Sequence, residues 1–165
     1  MKKGIILFGL FLMNTLLMAG GSITISLSPV SEIPSKSCNE NKIYIEKDVK
    51  LMWQDQAYIE SEYGAFKREK SISKAGSYRH AVNYCKRLDY GGYTDWRLPA
   101  SDELTHVHEK KRQVFAYFRD NDFWSSTAAV DGKYYVVFPA DAVRYGRSPR
   151  QSNFIRCVRC TANDQ

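Results

Sequence analysis

The sequence lacks the motifs on which most enzyme assignments rest. It has only four Cys and three His among 165 residues, and it contains no nucleophile elbow, phosphate-binding loop or zinc motif. It also shows no internal repeat. We therefore expect neither an enzyme nor a bound cofactor.

Long apolar runs are absent except at the N-terminus. Lys2 and Lys3 precede an almost uninterrupted apolar run over residues 4–18, and small residues follow at 19–21. The run is shorter than the roughly 20 residues of a membrane-spanning helix, so it predicts a cleaved signal peptide at 1–20. No Cys follows the cleavage region, which argues against a lipid anchor. We expect an exported protein (periplasmic, on the outer surface or secreted) with no membrane insertion after cleavage.

The excess of positive charge is small. The formal net charge is +6, and loss of Lys2 and Lys3 leaves 6 − 2 = +4, because every acidic residue lies downstream. A balance of this size is ordinary for a soluble domain and is also compatible with an anionic polymer as ligand. We expect no nucleic acid partner, and the sequence indicates no oligomeric state.

The exported chain has room for one domain. Ser and Pro without periodicity predict an extended spacer at residues 21–37. The domain is predicted at 38–160 and a short tail at 161–165. Residues 54–76 are polar and of mixed charge, and they predict a long connecting loop.

Periodicity predicts two strands and two helices before residue 110. Alternating polarity marks strands at 42–45 and 51–53. A helix begins at Ser77, which can cap it, and ends at Gly91, since apolar residues recur between them at three- and four-residue spacing. A second helix begins at Ser101.

The C-terminal third changes to the period of strands. Strands are predicted at 123–127, 134–138, 142–145 and 154–160, and Asp131-Gly132 predicts a hairpin turn. Two helices followed by short antiparallel strands predict an α+β domain.

An even number of cysteines in an oxidising compartment favours disulfides. The spacing of Cys157 and Cys160 is also that of thiol-exchange motifs. Residues three apart on a strand face opposite sides, however, so these thiols should not bond to each other. Cys85 lies on the core face of its predicted helix and is the first choice as partner of Cys157, which leaves Cys38 for Cys160. A thiol oxidoreductase is the less favoured alternative.

Six short blocks follow one another along the chain. They are Leu51–Asp55, Ala81–Cys85, Gly91–Pro99, Glu103-Leu104, Phe123–Thr127 and Arg156–Arg159. In this order they resemble the C-terminal domain family of the Legionella collagen-like adhesin, over residues 38–160.

The resemblance implies a C-type-lectin-like fold, of the variant shared with formylglycine-generating enzymes. Its helices pack on short antiparallel strands and disulfides staple the domain. A bridge from a helix Cys to a late-strand Cys is typical of it and agrees with Cys85–Cys157, and an outer pair joining the domain ends also occurs. The named adhesin is associated with binding sulfated polysaccharides at the cell surface.

The chain departs from the family pattern in two places. Ala100 stands where Thr or Asn often follows the Pro, so Ser101 or Asp102 is expected to cap the second helix. The segment 56–76 is long for the family, which weakens any transfer of ligand specificity.

The block from Gly91 to Pro99 has residue types that suit an ordered loop. Trp96 is expected to be buried, and Asp95 and Arg97 to bond the backbone or each other. We interpret the block as a scaffold. The residues of this structural signature are Trp53, Gly92, Asp95, Trp96, Arg97, Pro99 and Trp124.

Two groups of cations are the candidate ligand-binding residues. The first is Lys110, Lys111 and Arg112, and the second is Lys133, Arg144, Arg147 and Arg150. A guanidinium can give sulfate two parallel hydrogen bonds, and Tyr134, Tyr135 and Tyr145 could stack on sugar rings if exposed. The alternative is that these residues are solvated surface charges and core aromatics.

No metal site is predicted. His80, His106 and His108 have no ligand spacing, and the last two diverge around their predicted helix. The run 120–122 is the only compact group of carboxylate and amide side chains, and a polar turn is favoured over a calcium site there.

The sequence therefore predicts an exported binding module for an anionic or sulfated polysaccharide at the cell envelope or surface. The alternative is a periplasmic structural or protein-interaction module whose partner is an envelope protein.

Overall fold

A computed structural model describes residues 42–110 and 112–161. The predicted signal peptide, spacer and Cys38 lie outside the described residues, as do Lys111 and residues 162–165. None of the described helices has the length and apolar content needed to cross a bilayer.

The described chain contains three helices and eight strands. The helices are α1 (Glu60–Lys67), α2 (Tyr78–Lys86) and α3 (Ser101–His108). The strands are β1 (Ile43–Glu46), β2 (Leu51–Gln54), β3 (Ala75–Gly76), β4 (Phe123–Ala128), β5 (Tyr134–Val137), β6 (Arg144–Arg147), β7 (Asn153–Phe154) and β8 (Val158–Cys160).

The strands form two sheets. One is antiparallel with the order β1-β2-β8, and the other has the order β3-β7-β4-β5-β6. The α+β class is therefore confirmed. The prediction that all strands pair antiparallel is wrong, because β4 and β7 pair in parallel at Phe123 and Phe154.

The last predicted strand, 154–160, is two strands in different sheets. The Ile155 N–H donates to the Lys74 carbonyl oxygen at 2.9 Å. Two residues later, the Cys157 carbonyl accepts the Gln54 N–H at 2.9 Å. The chain therefore changes its hydrogen-bonding partner between β7 and β8, and this crossing links the two sheets.

The prediction of a long connecting loop at 54–76 is wrong, because this segment contains α1 and β3. Glu62 is fully buried, and its carboxylate accepts the N–H groups of Ile59 at 2.9 Å and Lys74 at 3.1 Å. The Lys74 ammonium lies 2.9 Å from the same carboxylate. These contacts are tertiary, and so the weak helical periodicity of the segment did not reveal them.

The predicted cap at Ser77 and the predicted turn at Asp131-Gly132 are confirmed, whereas the predicted end of α2 is wrong. Ser77 caps α2 by accepting the His80 N–H at 3.4 Å, and Asp131 and Gly132 both have the positive φ that a type I′ turn requires. The helix ends at Lys86, before Gly91.

Gly91 and Gly92 instead form a turn beyond the helix. Both have positive φ, 63° and 84°, which Gly adopts at little cost. Tyr90 and Tyr93 exchange backbone hydrogen bonds of 3.0 and 3.1 Å across them. The turn aligns two carbonyls for the buried Trp96, whose Nε1–H lies 2.9 Å from the Tyr93 oxygen.

The side chains of Asp95 and Arg97 each bond to a side chain of another element. The carboxylate of Asp95 accepts from Arg159, with the Nε at 2.6 Å, and the Arg159 guanidinium lies 3.9 Å from the Tyr93 ring centroid. Arg97 gives Glu103 two hydrogen bonds of 2.7 and 2.6 Å. Both side chains therefore join the loop to other elements.

The expected cap of α3 is also wrong. Ala100 occupies the cap position, and its N–H donates to the Glu103 carboxylate at 2.8 Å. The Ser101 N–H donates to the Thr127 hydroxyl at 2.9 Å. Glu103 thus makes the half of a capping box that needs no side chain at residue 100, and the Arg97 guanidinium holds its carboxylate in place.

Buried aromatic residues mark the core on both faces of the sheets. Trp53 and Trp124 are fully buried. Val136 and Val137 are also fully buried, as the sequence predicts for a strand covered on both faces.

The predicted bridge between Cys85 and Cys157 is present, with a Cα–Cα distance of 5.5 Å. It joins α2 to the segment before β8 across 72 residues, a loop that the entropy model values at about 4 kcal/mol. Cys160 is exposed and is not bonded to a described residue. Because Cys38 lies outside the described residues, the Cys38–Cys160 bridge stays a prediction.

A buried guanidinium joins three segments of the core. Arg156 is 1% exposed. Its Nη1 donates to the Gln54 carbonyl at 3.2 Å and to Asp55 at 3.3 Å, and its Nη2 donates to the Tyr117 carbonyl. Its guanidinium carbon lies 3.7 Å from the Phe115 ring centroid.

Replacing Arg156 with Met should destabilise the domain by about 3–5 kcal/mol, since it leaves Asp55 as a buried carboxylate without its cation. Urea unfolding with the disulfide intact measures the change. The control Arg87→Met, at an exposed site after α2, should stay within about 0.5 kcal/mol. Equal losses in the two variants would contradict the role of Arg156.

Lowering the pH should remove the contribution of Glu103 to the stability of the fold. Burial raises the pKa of this carboxyl, but the hydrogen bonds from Arg97 and Ala100 outweigh burial and leave the pKa below its ordinary value. Such a group stabilises the fold above its unfolded pKa, and this is lost as the pH falls through the folded pKa. The stability advantage of the native chain over Glu103→Gln should therefore be largest near neutral pH and shrink below about pH 4. A stability difference between the native chain and Glu103→Gln that stays constant from neutral to acid pH would contradict this prediction.

The second disulfide can be tested by titrating thiols in the denatured, unreduced protein. The two-bridge prediction expects no free thiol. Two free thiols would mean that Cys38 and Cys160 are not bonded.

Candidate functional site

Two residues of the first predicted cationic group line a cavity. Lys110 and Arg112 lie on a cavity of about 240 Å³ at the C-terminal end of α3, whereas Lys111 lies outside the described residues. Arg112 is exposed, and no carboxylate among residues 42–110 and 112–161 forms an ion pair with it. The remaining lining is mainly apolar, from Val107, Val114, Phe115, Phe118, Pro139 and Ala140.

Lys110 is already held by two carboxylates. Its Nζ lies 2.9 Å from Asp48 and 3.1 Å from Glu46. Glu46 is buried and its other oxygen accepts the Trp53 Nε1–H at 2.8 Å. The hydrogen bond to Asp48 raises the pKa of Lys110. Lys110 is therefore a positive charge that its neighbours neutralise.

His106 belongs to the same group of side chains. Its Nε2 lies 3.4 Å from an oxygen of Glu46 and 3.4 Å from one of Asp48, and one ligand atom from each of the three lies within 4.8 Å of the others. The Lys110 ammonium contacts both carboxylates of this group. The prediction of no metal site is not tested by this geometry.

The other histidines lie elsewhere, as expected for His106 and His108 diverging around a helix. His80 contacts the Ser73 carbonyl at 2.9 Å through its Nε2. His108 packs against Phe115, and burial, followed by the charge of Arg156, lowers the pKa of its imidazole to about 3. His108 is therefore neutral at physiological pH.

The residues of the second predicted group do not lie on one face, and their role in ligand binding stays a prediction. Arg144 and Arg147 are three apart on β6, so their side chains lie on opposite faces of the sheet. Arg144 pairs with Asp102, and Arg147 pairs with Asp122 at 3.0 Å. Lys133 is exposed at the hairpin turn.

The tyrosines expected to stack on sugars are half-buried. Tyr134 stacks on Tyr78 with their ring centroids 3.4 Å apart. Tyr135 lies under Arg144, 5.9 Å away. Tyr145 lies under Arg147, 4.8 Å away.

The segment that carries Arg150 contacts two other segments whose cations sequence reasoning missed. The Tyr78 N–H donates to the Pro149 carbonyl at 3.0 Å, so Arg79 and Arg150 flank one backbone hydrogen bond. The Ser152 hydroxyl donates to the Lys70 carbonyl at 2.8 Å across 82 residues. We call Lys70, Arg79 and Arg150, all exposed, the basic surface.

The basic surface carries three cations and has one carboxylate beside it. Among the described residues, no carboxylate forms an ion pair with Lys70, Arg79 or Arg150. The carboxylate of the neighbouring Glu69 accepts the Ser152 N–H, so it lies at the same surface and offsets part of the positive charge. No sequence signal shows this arrangement of segments, because it depends on how α1 and β3 pack against the loop before β7.

A second cavity, of about 400 Å³, opens beside Arg147. We call it the aromatic cavity, and its lining is Phe66, Asn121, Asp122, Phe138, Asp141, Val143, Tyr145 and Arg147. Asp122 is 6% exposed and accepts hydrogen bonds from the Tyr145 hydroxyl and from Arg147. The predicted polar turn at 120–122 thus has a buried end that anchors β6.

The fold and its block pattern define the class of protein as a disulfide-containing α+β domain. The family model described as Lcl C-terminal domain matches residues 42–159. The chain therefore belongs to that family. No curated protein matches the sequence.

Proposed function

We propose that this protein is an exported binding module that attaches to an anionic or sulfated polysaccharide through the basic surface. The observation that carries the proposal is that hydrogen bonds bring the segments of Lys70, Arg79 and Arg150 together, and that no carboxylate of the described residues pairs with these three exposed cations. Family membership supports a role in attachment.

Sulfate groups suit these side chains. A guanidinium can give an oxyanion two parallel hydrogen bonds, and Lys adds a compact positive charge. Each exposed charge contact contributes only about 0.2–1 kcal/mol and is screened by salt. A ligand with repeated charges is favoured, because several weak contacts then act together.

The finer assignments belong to the same proposal. A C-type-lectin-like fold is supported by the Cys85–Cys157 bridge between a helix and a late segment of the chain. Export is supported by the apolar run at 4–18 and agrees with an oxidised disulfide. The alternative of a thiol oxidoreductase is disfavoured for Cys85 and Cys157, because both are fully buried and bonded to each other.

The double substitution Arg79→Gln/Arg150→Gln should weaken heparin binding about 5- to 30-fold, because two exposed contacts together contribute about 1–2 kcal/mol. Surface plasmon resonance at fixed salt measures the Kd. The control is Lys86→Gln/Arg87→Gln, which removes two exposed charges from the other end of α2 and should change the Kd less than about twofold.

Equal effects in the two double variants would mean that only net charge matters and would contradict a specific surface. No salt-sensitive retention of the native protein on heparin or dextran sulfate would contradict the proposal. It would favour the alternative of a protein-interaction module, which predicts an envelope protein recovered by crosslinking.

A further inference from the structure

The aromatic cavity has the size of a ligand site and lies next to the basic surface. Its volume of about 400 Å³ falls within the roughly 300–1,000 Å³ of small-molecule pockets. Arg147 lines it, and Arg150 of the basic surface follows three residues later. One extended ligand could reach both places.

Hydrogen bonds within the protein already hold the polar side chains of the cavity in place. The side chain of Asp122 is 8% exposed; one of its oxygens accepts the Tyr145 hydroxyl and the other accepts Arg147 Nη2 at 3.0 Å. A carboxylate oxygen has two acceptor sites, so each retains capacity for a ligand hydroxyl. The Arg147 side chain is 39% exposed, and its buried Nε has no hydrogen-bond partner within the described parts of the chain.

Asn121 adds an uncommitted amide. Its side chain lines the cavity, is half-buried and makes no hydrogen bond to the described parts of the chain. An amide next to a carboxylate offers a donor and acceptors side by side. Neighbouring hydroxyl groups on a ring can bond to such a pair.

The apolar part of the lining is aromatic. Phe66, Phe138 and Tyr145 contribute to it. The Phe66 ring is held by stacking on Phe154, with centroids 5.0 Å apart and an interplanar angle of 26°. A half-buried aromatic wall beside polar groups matches a ligand with one apolar face and polar edges.

The charges of the cavity disfavour an anionic group. Asp122 and Asp141 supply two carboxylates against the one guanidinium of Arg147. Asp141 uses one oxygen to accept the Val143 N–H at 3.1 Å, and its side chain remains exposed. A sulfate placed here would meet a net negative lining, whereas an uncharged hydroxyl group would find acceptors.

We propose that the aromatic cavity binds one uncharged pyranose ring, with Asn121, Asp122 and Arg147 as its hydroxyl partners and the aromatic side chains against its apolar face. The proposal rests on the proposed function for the carbohydrate nature of the ligand. It adds that the polymer presents an uncharged ring beside the charged units held on the basic surface.

Isotope-labelled protein titrated with uncharged methyl glycosides tests the proposal. The probes are the methyl glycosides of glucose, galactose, mannose and N-acetylglucosamine, followed by amide chemical shifts. At least one probe should give saturable shifts at residues 121–122 and 138–147 that do not depend on salt. Methyl sulfate should not give them. The absence of saturable shifts with all four probes, or equal shifts with methyl sulfate, would overturn the proposal.

Asn121→Ala should weaken the glycoside that binds best at least about fivefold, because the ring loses its amide partner. The matched control Asn83→Ala, a half-buried Asn on α2 outside the cavity, should bind as the native protein does. Equal affinity in the two variants would overturn the cavity assignment.

The two proposals fail separately. Heparin binding without glycoside shifts overturns the cavity alone. Glycoside shifts without heparin binding support the cavity and contradict the basic surface.

Discussion

The buried guanidinium of Arg156 is the constraint on which the rest of the structure depends. It lies where the chain crosses from one sheet to the other, and it satisfies carbonyls at the end of β2 and in the loop after α3. A buried charge is tolerated only when paired and hydrogen-bonded, so Asp55 is required beside it. The neighbouring Cys157 then ties the same crossing to α2.

This core fixes where the cations of the chain are exposed. Several cations that the sequence predicts as ligand-binding residues instead form ion pairs that hold segments together. Lys110 pairs with Glu46 of β1. Arg144 pairs with Asp102, and Arg147 pairs with Asp122. The crossing also brings the loop before β7 against α2 and the segment after α1. The segments of Lys70, Arg79 and Arg150 thereby lie close together, although no ion pair among the described residues holds these cations.

Local signals in the sequence predict the local structure well. Ser77 marks the start of α2, and the Asp131-Gly132 turn joins β4 to β5 as predicted. The partner of Cys85 also follows, because its position on the core face of a helix restricts the choice. The short helix α1 does not follow, since the buried Glu62 supports it through contacts made only in the folded chain. The site is the least predictable part, because Arg144 and Arg147, which are close in sequence, lie on opposite faces of a sheet.

The central claim is that the basic surface, and not the cationic group after α3, receives the anionic ligand. Chemical-shift mapping with a size-defined heparin oligosaccharide tests it most directly, since every described amide reports separately. The account predicts that the largest shifts centre on residues 68–80 and 147–152. Shifts centred on residues 107–115, or spread evenly over the surface, would contradict it.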